Sequence, residues 1–477
     1  MNKENKQELF AKMPVRKAIM KLAVPAMFSQ IILVAYNMAD AFYIGHTGDE
    51  HLITAVAICM PAFMFLSAIS NLFGIGGGSG ISRSLGKGKD HRAAGLSSFS
   101  FWACTIVTAV YSLCTFIWAD PFVDLLGGSN PAVHEQARIY LFYTVTVFGT
   151  SAALNTLMSH LVRSEGNSLQ ASIGIMLGGI LNIVLDPIFM FVLLPAGHEV
   201  MGAAIATSLS NVIALLYYFA YLFLVRKTTV LNLSPAKIKI NKKVLKEVFV
   251  SGLPASLMTL FENISFMILD NLMSANGVIL QAGLGVAKKI NMLSHSVVRG
   301  ISQGVLPLIA YNYASRDYKR MKKAFYGSAS LSVGIATLTM IIYLVFGPFL
   351  VSLFIQGDSP SIAEGTIILR ILCLGGPFSA FGYAVISLFQ ASKRGARAVL
   401  LALSRKGFID IPLMFLFQLF IPKYGIVWAT PITDLICCII AITMFVFFLR
   451  FVKKKASNTS QETVSPEPLL STEQKEG

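Results

Sequence analysis

Long apolar stretches recur from near the start of the chain to its C-terminal region. Each has the roughly 20 residues that an α-helix needs to cross the hydrocarbon core of a bilayer. We count twelve, at residues 18–44, 52–82, 93–118, 136–160, 168–194, 201–225, 247–274, 279–313, 324–346, 363–391, 397–420 and 425–450. The pattern predicts an all-α polytopic membrane protein with twelve transmembrane helices, numbered here as spans 1 to 12.

Composition supports the membrane prediction. Of the 477 residues, 55% are hydrophobic and only 13% are charged, whereas soluble domains carry about 25% charged residues. The segment before span 1 is rich in lysine and lacks a small-residue cleavage site, so we interpret span 1 as a retained helix. All six cysteines fall inside predicted spans without metal-ligand spacing, and we expect them to serve as small apolar residues.

The net charge of +15 is distributed in a way that indicates topology rather than nucleic-acid binding. Alternate loops are basic, at 83–92, 226–246, 315–323 and 392–397. The intervening loops at 46–51, 120–136 and 347–364 contain no lysine or arginine, and Lys423 is the only basic residue on that side. By the positive-inside rule, both termini are expected in the cytoplasm, with no nucleic-acid partner.

Motifs repeat in the same order on the two sides of the basic linker. VPA and LPA are each followed by an aspartate, Asp40 and Asp270, while LDPIFMF corresponds to IDIPLMF and GAAIAT to GIVWAT. The repetition predicts two six-helix lobes that are parallel repeats. The expected divisions are a cytoplasmic segment 1–17, an N-terminal lobe 18–225, a cytoplasmic linker 226–246, a C-terminal lobe 247–450 and a tail 451–477 that is basic and then disordered.

Four polar side chains share one depth in the outer half of the N-terminal lobe: Asp40, Asn182, Asp186 and Thr207. Intramembrane carboxylates are costly and usually functional. A cluster of oxygen atoms suits a proton or a hard monovalent cation, and two carboxylates in a low dielectric cannot cheaply both stay ionised. We therefore predict a cation-coupling site for H⁺ or Na⁺; simple hydrogen bonding between packed helices is the alternative.

The C-terminal lobe carries charges of both signs inside its spans. Its acidic candidates are Glu262, Asp270, Asp410 and Asp434, and its basic residues are Lys288, Lys289, Arg299, Arg370, Arg405 and Lys406. Ion pairing between them is the simpler interpretation, and we prefer it for the basic residues. The 19 methionines and 34 phenylalanines are expected mostly to face lipid, and some of them to line an adaptable apolar pocket.

Four segments carry a resemblance to the multidrug and toxic compound extrusion (MATE) family, and more closely to its MepA-like bacterial branch. They are VPAMFSQIILVAYNMADAFYIGHTG (24–48), GIGGGSGISRSLGKGKDHRAA (74–94), RSEGNSLQASIGIMLGGILNIVLDPIFMF (163–191) and PLIAYNYASRDYKRMKKA (307–324). The resemblance covers residues 14–452 and implies an antiporter of the bacterial cell membrane. Such a transporter exports amphipathic organic cations in exchange for H⁺ or Na⁺ by alternating access, which underlies antibiotic resistance.

The resemblance also assigns residues. The family's N-lobe cation site matches Asp40, Asn182, Asp186 and Thr207. Tyr36 and Asn155 resemble its surrounding hydrogen-bond network, and Pro25 matches a proline at which some members bend. Glu262 matches the C-lobe acid of the sodium-coupled branch, but Tyr383 stands where that branch has a second acid, so a complete C-lobe sodium site is in doubt.

Other classes fit less well. The loop RSLGKGKDHRAA does not match the major facilitator pattern, and neither a P-loop nor a DDxxD motif occurs. We expect no enzyme activity, no cofactor and no tightly bound metal, in a monomer that handles small organic cations, dyes, biocides and drugs. A lipid-linked oligosaccharide flippase of the same superfamily remains the alternative, because Lys288, Arg299, Arg370 and Arg405 could form its cationic lumen.

Overall fold

The structure, a computed structural model, describes residues 8–128, 130–195, 197–238, 242–355, 360–421 and 423–462. These residues form helices and loops, and they contain no strand. The N-terminal lobe consists of α1 (Val15–His46), α2 (Glu50–Leu85), α3 (Asp90–Ile117), α4 (Pro131–Leu141, Phe142–Val147 and Gly149–Ser164), α5 (Ser168–Ile188 and Phe189–Leu193) and α6 (Glu199–Leu224).

The C-terminal lobe contains six further helices, which follow the predicted spans. As in the N-terminal lobe, a helix made of consecutive segments is counted once. The six helices are α7 (Lys242–Ser274), α8 (Val278–Ala314), α9 (Tyr318–Ser352), α10 (Pro360–Cys373 and Gly376–Ala391), α11 (Gly395–Leu403, Ser404–Phe408 and Asp410–Phe420) and α12 (Gly425–Glu462). The prediction of an all-α protein with twelve long helices is confirmed.

Eight of these helices are long and apolar enough to cross a membrane. The number rises to ten when each of two bent helices is counted as one span. The remaining two, α8 and α11, interrupt their apolar stretches with Lys288, Lys289, Arg299, Arg405 and Lys406. All of these side chains except the exposed Lys289 are buried or half-buried in the bundle, as is usual for ionisable groups in a multi-pass membrane protein.

The two lobes repeat one packing arrangement. In the N-terminal lobe α1 packs on α5, α2 on α3 and α4, and α6 on α4 and α5; α7 to α12 pack in the corresponding pairs. The equivalent helices α4 and α10 are both sharply bent, by 51° and 42° respectively. The sequence predicted one continuous span at each place, but Pro377 starts a new segment in α10 because proline cannot donate its backbone hydrogen bond.

The lobes meet along two helix pairs that are counterparts under the repeat, α2 with α7 and α1 with α8. Glycine allows the backbones of α2 and α7 to approach closely. A Cβ atom at Gly76 would lie 2.3 Å from the carbonyl oxygen of Val248, and one at Gly252 would lie 1.8 Å from that of Leu72. Small residues at such an interface are typical of helix pairs in membranes.

Polar contacts between the lobes cluster at one end of the bundle, called here the basic end, where the loops 86–89, 165–167 and 392–394 lie. Arg83 of α2 places Nε 3.1 Å from Oε1 of Glu247 in α7, and its NH1 donates to the carbonyl of Gln390 at 3.0 Å. Arg92 and Lys393 also contact the Glu247 carboxylate. One buried carboxylate therefore gathers three basic side chains and holds the lobes together here.

The segment before α1 also packs against the bundle at the basic end. Leu9 and Phe10 are completely buried in the short helical turn Glu8–Lys12. The Phe10 ring stacks on Tyr311 of α8 with centroids 5.0 Å apart, and its carbonyl accepts a hydrogen bond from Arg320 Nε at 2.7 Å. The sequence predicted a cytoplasmic segment at 1–17 without this packing, which two adjacent apolar side chains produce.

The C-terminal boundary differs from the expected one. The last helix, α12, continues to Glu462, so residues 456–462 are helical where a disordered tail was expected. The rest of that tail, 463–477, lies outside the described residues. A helix that is already formed in the bundle can extend by one hydrogen bond per added residue, which propensity alone does not predict.

Candidate functional site

The predicted cation cluster is assembled from three helices of the N-terminal lobe. Asn182 of α5 donates from Nδ2 to Oδ1 of Asp186 at 2.9 Å and to Oγ1 of Thr207 in α6 at 3.1 Å. Asp40 of α1 is 7% exposed and lies close enough to Asp186 for their charges to interact. The structure thus brings together the residues that sequence spacing placed at one depth.

Several oxygen atoms in this cluster have no hydrogen-bond donor among the described residues. The buried and unpaired atoms are Asp40 Oδ1, Asn155 Oδ1, Asn182 Oδ1 and Asp186 Oδ2. Buried polar atoms are nearly always paired, because leaving one unpaired costs its full desolvation energy. Acceptors without donors fit a proton or a small hard cation, which would supply the missing partner.

A second layer of amides supports the cluster. Asn155 of α4 donates to Oδ1 of Asn211 at 3.0 Å, and Asn211 donates to the backbone carbonyl of Thr207 at 2.9 Å. Asn211 was not predicted from the sequence, although it follows Thr207 by one helical turn and so shares its face. Pro25 lies in α1 beside Ala26, whose carbonyl faces Gly300 of α8, and does not touch the cluster.

Pro187, which directly follows Asp186, marks a change in the helix. The α-helix ends at Ile188 and continues as the wider helical turns Phe189–Leu193. Proline frees a carbonyl in the preceding turn because it lacks a backbone N–H group. The start of α6 packs tightly here, since a Cβ atom at Gly202 would lie 2.8 Å from Met190 Cα, and this contact sets the position of Thr207.

A cavity of about 260 Å³ lies between the lobes and reaches the cation cluster. Its N-lobe wall includes Tyr36, Asn155, Asn182 and Thr207, and its C-lobe wall includes Glu262, Arg299 and Tyr383. Phe63, Met64, Met258 and Met292 add apolar surface. One cavity therefore connects the unpaired oxygen atoms of the N-terminal lobe with charged and apolar groups from both lobes.

Each acidic candidate of the C-terminal lobe has a basic partner. The N–O distances are 2.6 Å for Lys288–Asp270, 2.8 Å for Arg299–Glu262, 2.6 Å for Arg405–Asp434 and 3.1 Å for Lys406–Asp410. The preferred ion-pairing interpretation of these four basic residues is confirmed. The pairing leaves the C-terminal lobe balanced in charge around its acids, unlike the N-terminal cluster.

The ion-pairing interpretation is wrong for the other two basic residues, because Arg370 and Lys289 contact no acid among the described residues. Arg370 donates from Nε to the carbonyl of Leu344 at 3.1 Å, which is the carbonyl that Pro348 leaves without its intrahelical donor. The hydroxyl of Tyr383 accepts a hydrogen bond from Arg299 at 3.2 Å. Lys289 is exposed on α8.

The remaining chemistry of the described residues is sparse. The six cysteines are free, and all except Cys114 are buried, which fits their expected use as small apolar residues. Within the ranges that the structure describes, no three His, Cys, Asp or Glu side chains are grouped so that they could hold a metal ion.

The fold and the repeat have counterparts in known proteins. The MatE family model matches the chain twice, over residues 25–188 and 254–416, once in each lobe. The chain is 29% identical over 451 residues to multidrug export protein MepA of Staphylococcus saprophyticus, covering 94% of this chain and 97% of that protein. A MepA of Staphylococcus aureus is 28% identical over 453 residues, with coverage of 94% and 97%.

Solved structures share the architecture. A crystal structure of MATE in complex with MaL6 matches with a TM-score of 0.87 at 24% identity, over 94% of this chain and 99% of that one. An outward-facing multidrug resistance MATE family transporter matches with a TM-score of 0.85 at 24% identity, over 95% and 100%. With the family model matched in both lobes, the chain belongs to the MatE family.

Proposed function

We propose that this protein is a secondary active multidrug efflux transporter that exports amphipathic organic cations in exchange for H⁺ or Na⁺. The observation that carries the proposal is the cavity between the lobes, which borders Asn182 and Thr207 of a cluster rich in unpaired oxygen atoms. The similarity to proteins named for multidrug export supports it. Such an arrangement lets one bound species influence the other across a short distance.

Ion coupling would reside in Asp40 and Asp186. Because Asn182 uses its amide donor on Asp186 and Thr207, its own Oδ1 stays free to accept. A proton shared near two buried carboxylates relieves their repulsion, so proton coupling is favoured over sodium. Sodium remains the second candidate, because Asn182 and Thr207 add neutral oxygen atoms of the kind that hard cations bind.

Export would proceed by alternating access of the cavity. The lobes are tied at the basic end by Arg83 and Glu247, and nearer the cavity by Asn71, which donates to Thr259 at 3.0 Å. Opening toward the basic end requires these contacts to break. An outward-facing arrangement is consistent with this closure, and ion uptake from outside would favour drug release from it.

The substrate class follows from the wall of the cavity. Tyr36 and Tyr383 present aromatic rings, and Met64, Met258 and Met292 present flexible thioethers. Aromatic faces attract cations, and methionine side chains repack around varied shapes. Bulky organic cations, dyes, biocides and drugs fit such a wall.

The flippase alternative has less support from the geometry. A lumen that binds polyanionic lipid carriers needs free positive charge, but Lys288, Arg299 and Arg405 each contact an acid. Arg370 donates its Nε hydrogen bond to the carbonyl of Leu344. The interior of the C-terminal lobe is therefore largely neutralised.

The positive-inside rule places the basic end in the cytoplasm, with both termini on that side of a bacterial cell membrane. Because each lobe contributes one wall of the cavity, a single chain holds a complete site, and we propose that it acts as a monomer. Small-molecule substrates and the lipid bilayer are then its partners, with an ion gradient and no cofactor as the energy source.

The function can be tested in sealed vesicles that contain the purified protein. Export of a fluorescent organic cation is measured under an imposed pH gradient in sodium-free buffer, and then under a sodium gradient at constant pH. Efflux that follows the pH gradient supports proton coupling. If neither gradient drives export while lipid-linked sugars are translocated, the flippase function takes its place.

A further inference from the structure

One charged residue in the cavity wall has no ionic partner. Arg163 of α4 lines the cavity, its residue is only 2% exposed, and its Nε and NH2 atoms both lack an acceptor among the described residues. The other charged lining residues, Glu262 and Arg299, contact each other. Arg163 is thus a buried positive charge whose Nε and NH2 atoms have no acceptor within the described part of the chain.

The groups nearest to Arg163 along the chain are already engaged. Glu165 accepts hydrogen bonds from Thr229 Oγ1 at 2.9 Å and from the backbone N–H of Val230 at 2.6 Å. At the end of α4, the carbonyl of Ser164 accepts from Ser82 Oγ at 2.7 Å. These contacts tie the loop after α4 to its surroundings and use acceptors that could otherwise have reached the guanidinium group.

Polar side chains close to Arg163 in the cavity wall hydrogen-bond to one another. His160, one turn earlier on α4, also lines the cavity, and its Nε2 lies 3.2 Å from Oδ1 of Asn71. Asn71 donates from its amide nitrogen to Thr259 at 3.0 Å, so its Oδ1 accepts and His160 Nε2 carries the hydrogen atom. Among the described residues that line the cavity, the one carboxylate is that of Glu262, and Arg299 already contacts it.

We propose that Arg163 is an anion subsite of the substrate cavity, which binds a carboxylate carried by an otherwise cationic substrate. The inference rests on the proposed export function and names the residue that would bind the carboxylate of an amphoteric substrate. A guanidinium group offers a planar pair of donors that matches a carboxylate. A carboxylate would remove the cost of a buried, unpaired charge. The cationic part of the same molecule would lie toward Tyr36 and Asn182 at the cation cluster.

The test uses two rhodamine dyes that differ in one group. One is the methyl ester, which is a plain cation, and the other has the free carboxylate. Binding of each dye to the purified full-length protein in detergent is measured by fluorescence anisotropy, in chloride and in gluconate buffers. The variants are Arg163→Gln and Arg163→Lys, with Arg226→Gln, an exposed residue at the basic end, as the matched control.

The expected result is selective. Arg163→Gln weakens binding of the carboxylate dye about ten- to hundredfold, the effect of losing a hydrogen-bonded charge partner, and leaves the ester unchanged. Arg226→Gln changes neither. Equal losses for both dyes, or no loss for either, would overturn the anion subsite. Ester binding that depends on chloride in wild type and not in Arg163→Gln would also overturn it, in favour of a free inorganic anion.

The Arg163→Lys variant keeps the test decisive if Arg163→Gln does not fold. Lysine retains the positive charge but loses the planar pair of donors, so the carboxylate dye should bind less tightly by a smaller factor while the ester is unaffected. An ester loss equal to that of the carboxylate dye would refute the subsite. Failure of the wild-type protein to export the ester in vesicles would instead refute the proposed function, whatever Arg163 binds.

Discussion

The acids of the two lobes differ in their immediate partners. Asp40 and Asp186 contact no basic side chain among the described residues. An unpaired carboxylate oxygen occurs in both lobes, because Asp410 Oδ1 and Asp434 Oδ2 lack a donor within the described ranges, as Asp40 Oδ1 and Asp186 Oδ2 do. Glu262 and Asp434 of the C-terminal lobe lie 2.8 and 2.6 Å from arginine nitrogen atoms. An unpaired carboxylate can take up an ion, whereas one that already faces an arginine gains little from a second cation.

The residue-scale test of coupling replaces each N-lobe carboxylate by its amide. Asp40→Asn and Asp186→Asn should leave the protein folded, because asparagine keeps the size of the side chain, but abolish gradient-driven dye efflux from vesicles. Glu135→Gln, at an exposed site near the loop before α4, is the control and should pump normally. Near wild-type efflux in both aspartate variants would contradict the coupling role and leave the cluster as a hydrogen-bonded contact between packed helices.

The C-lobe pair predicts a different outcome. Glu262→Gln leaves Arg299 without its carboxylate, so we expect a loss of about 3 kcal/mol of stability and only a partial loss of export. Thermal unfolding can be monitored by the labelling of the buried cysteines as they become exposed. The double variant Glu262→Gln/Arg299→Gln should be more stable than the single variant Glu262→Gln. If the single variant abolishes efflux as completely as Asp40→Asn, Glu262 has a direct part in coupling.

At the scale of the helices, close backbone approach determines how the lobes join. The α2–α7 contact depends on glycines that face carbonyl oxygen atoms of the opposite helix. Bends in α4 and α10 occur at equivalent places in the two lobes. The turn Glu8–Lys12 adds buried Phe10 to the basic end. These features together give the bundle one closed end.

A single added methyl group should open this contact. In Gly252→Ala, the new Cβ atom would sit 1.8 Å from the carbonyl oxygen of Leu72, so the helices must separate, at a cost of about 1–3 kcal/mol or more. Gly334→Ala is the matched control, because a Cβ atom there meets nothing within 4 Å. It should leave the melting temperature unchanged or slightly raised. Equal stability of the two variants would contradict the close-approach explanation.

At the scale of the whole molecule, the distribution of charge defines orientation. Basic loops gather at the end where Arg83 and Glu247 close the lobes, and the opposite end carries the short helix Ala119–Leu125. By the positive-inside rule, we propose that the closed end faces the cytoplasm. The cation cluster lies nearer the other end, six residues from the end of α1 in the case of Asp40.

Reporter fusions test this orientation. A fusion at Asp120 should report the outside of the cell, and one at Lys453 the cytoplasm. Fusions at Asp358 and Lys239 are expected outside and inside, respectively, although both positions lie outside the described residues. Reversal of the signal at Asp120 or Lys453, with the protein well expressed, would contradict the topology of two lobes with six spans each. It would also contradict the depth assigned to Asp40 and Asp186.

The class of the molecule could be predicted from the pattern of apolar residues along the chain. Apolar stretches long enough to span a bilayer gave the twelve helices, and repeated motifs around Asp40 and Asp270 gave the two lobes. The four-residue spacing of Asn182 and Asp186 placed them on one helix face, since this spacing is local geometry. Pairs of opposite charge in the C-terminal lobe were expected for the same physical reason, the cost of isolated charge in a membrane.

Contacts between residues on different helices could not be predicted from these patterns. Arg163 reads in sequence as a basic residue at the end of a span, and its lack of a partner depends on where Glu165 and the cavity lie. Glu247 directly follows the basic linker in the sequence, yet it gathers Arg83 and Lys393 from distant segments. Hydrophobic and charge patterns report local preference, whereas these contacts depend on how the two lobes close against each other, which no single helix specifies.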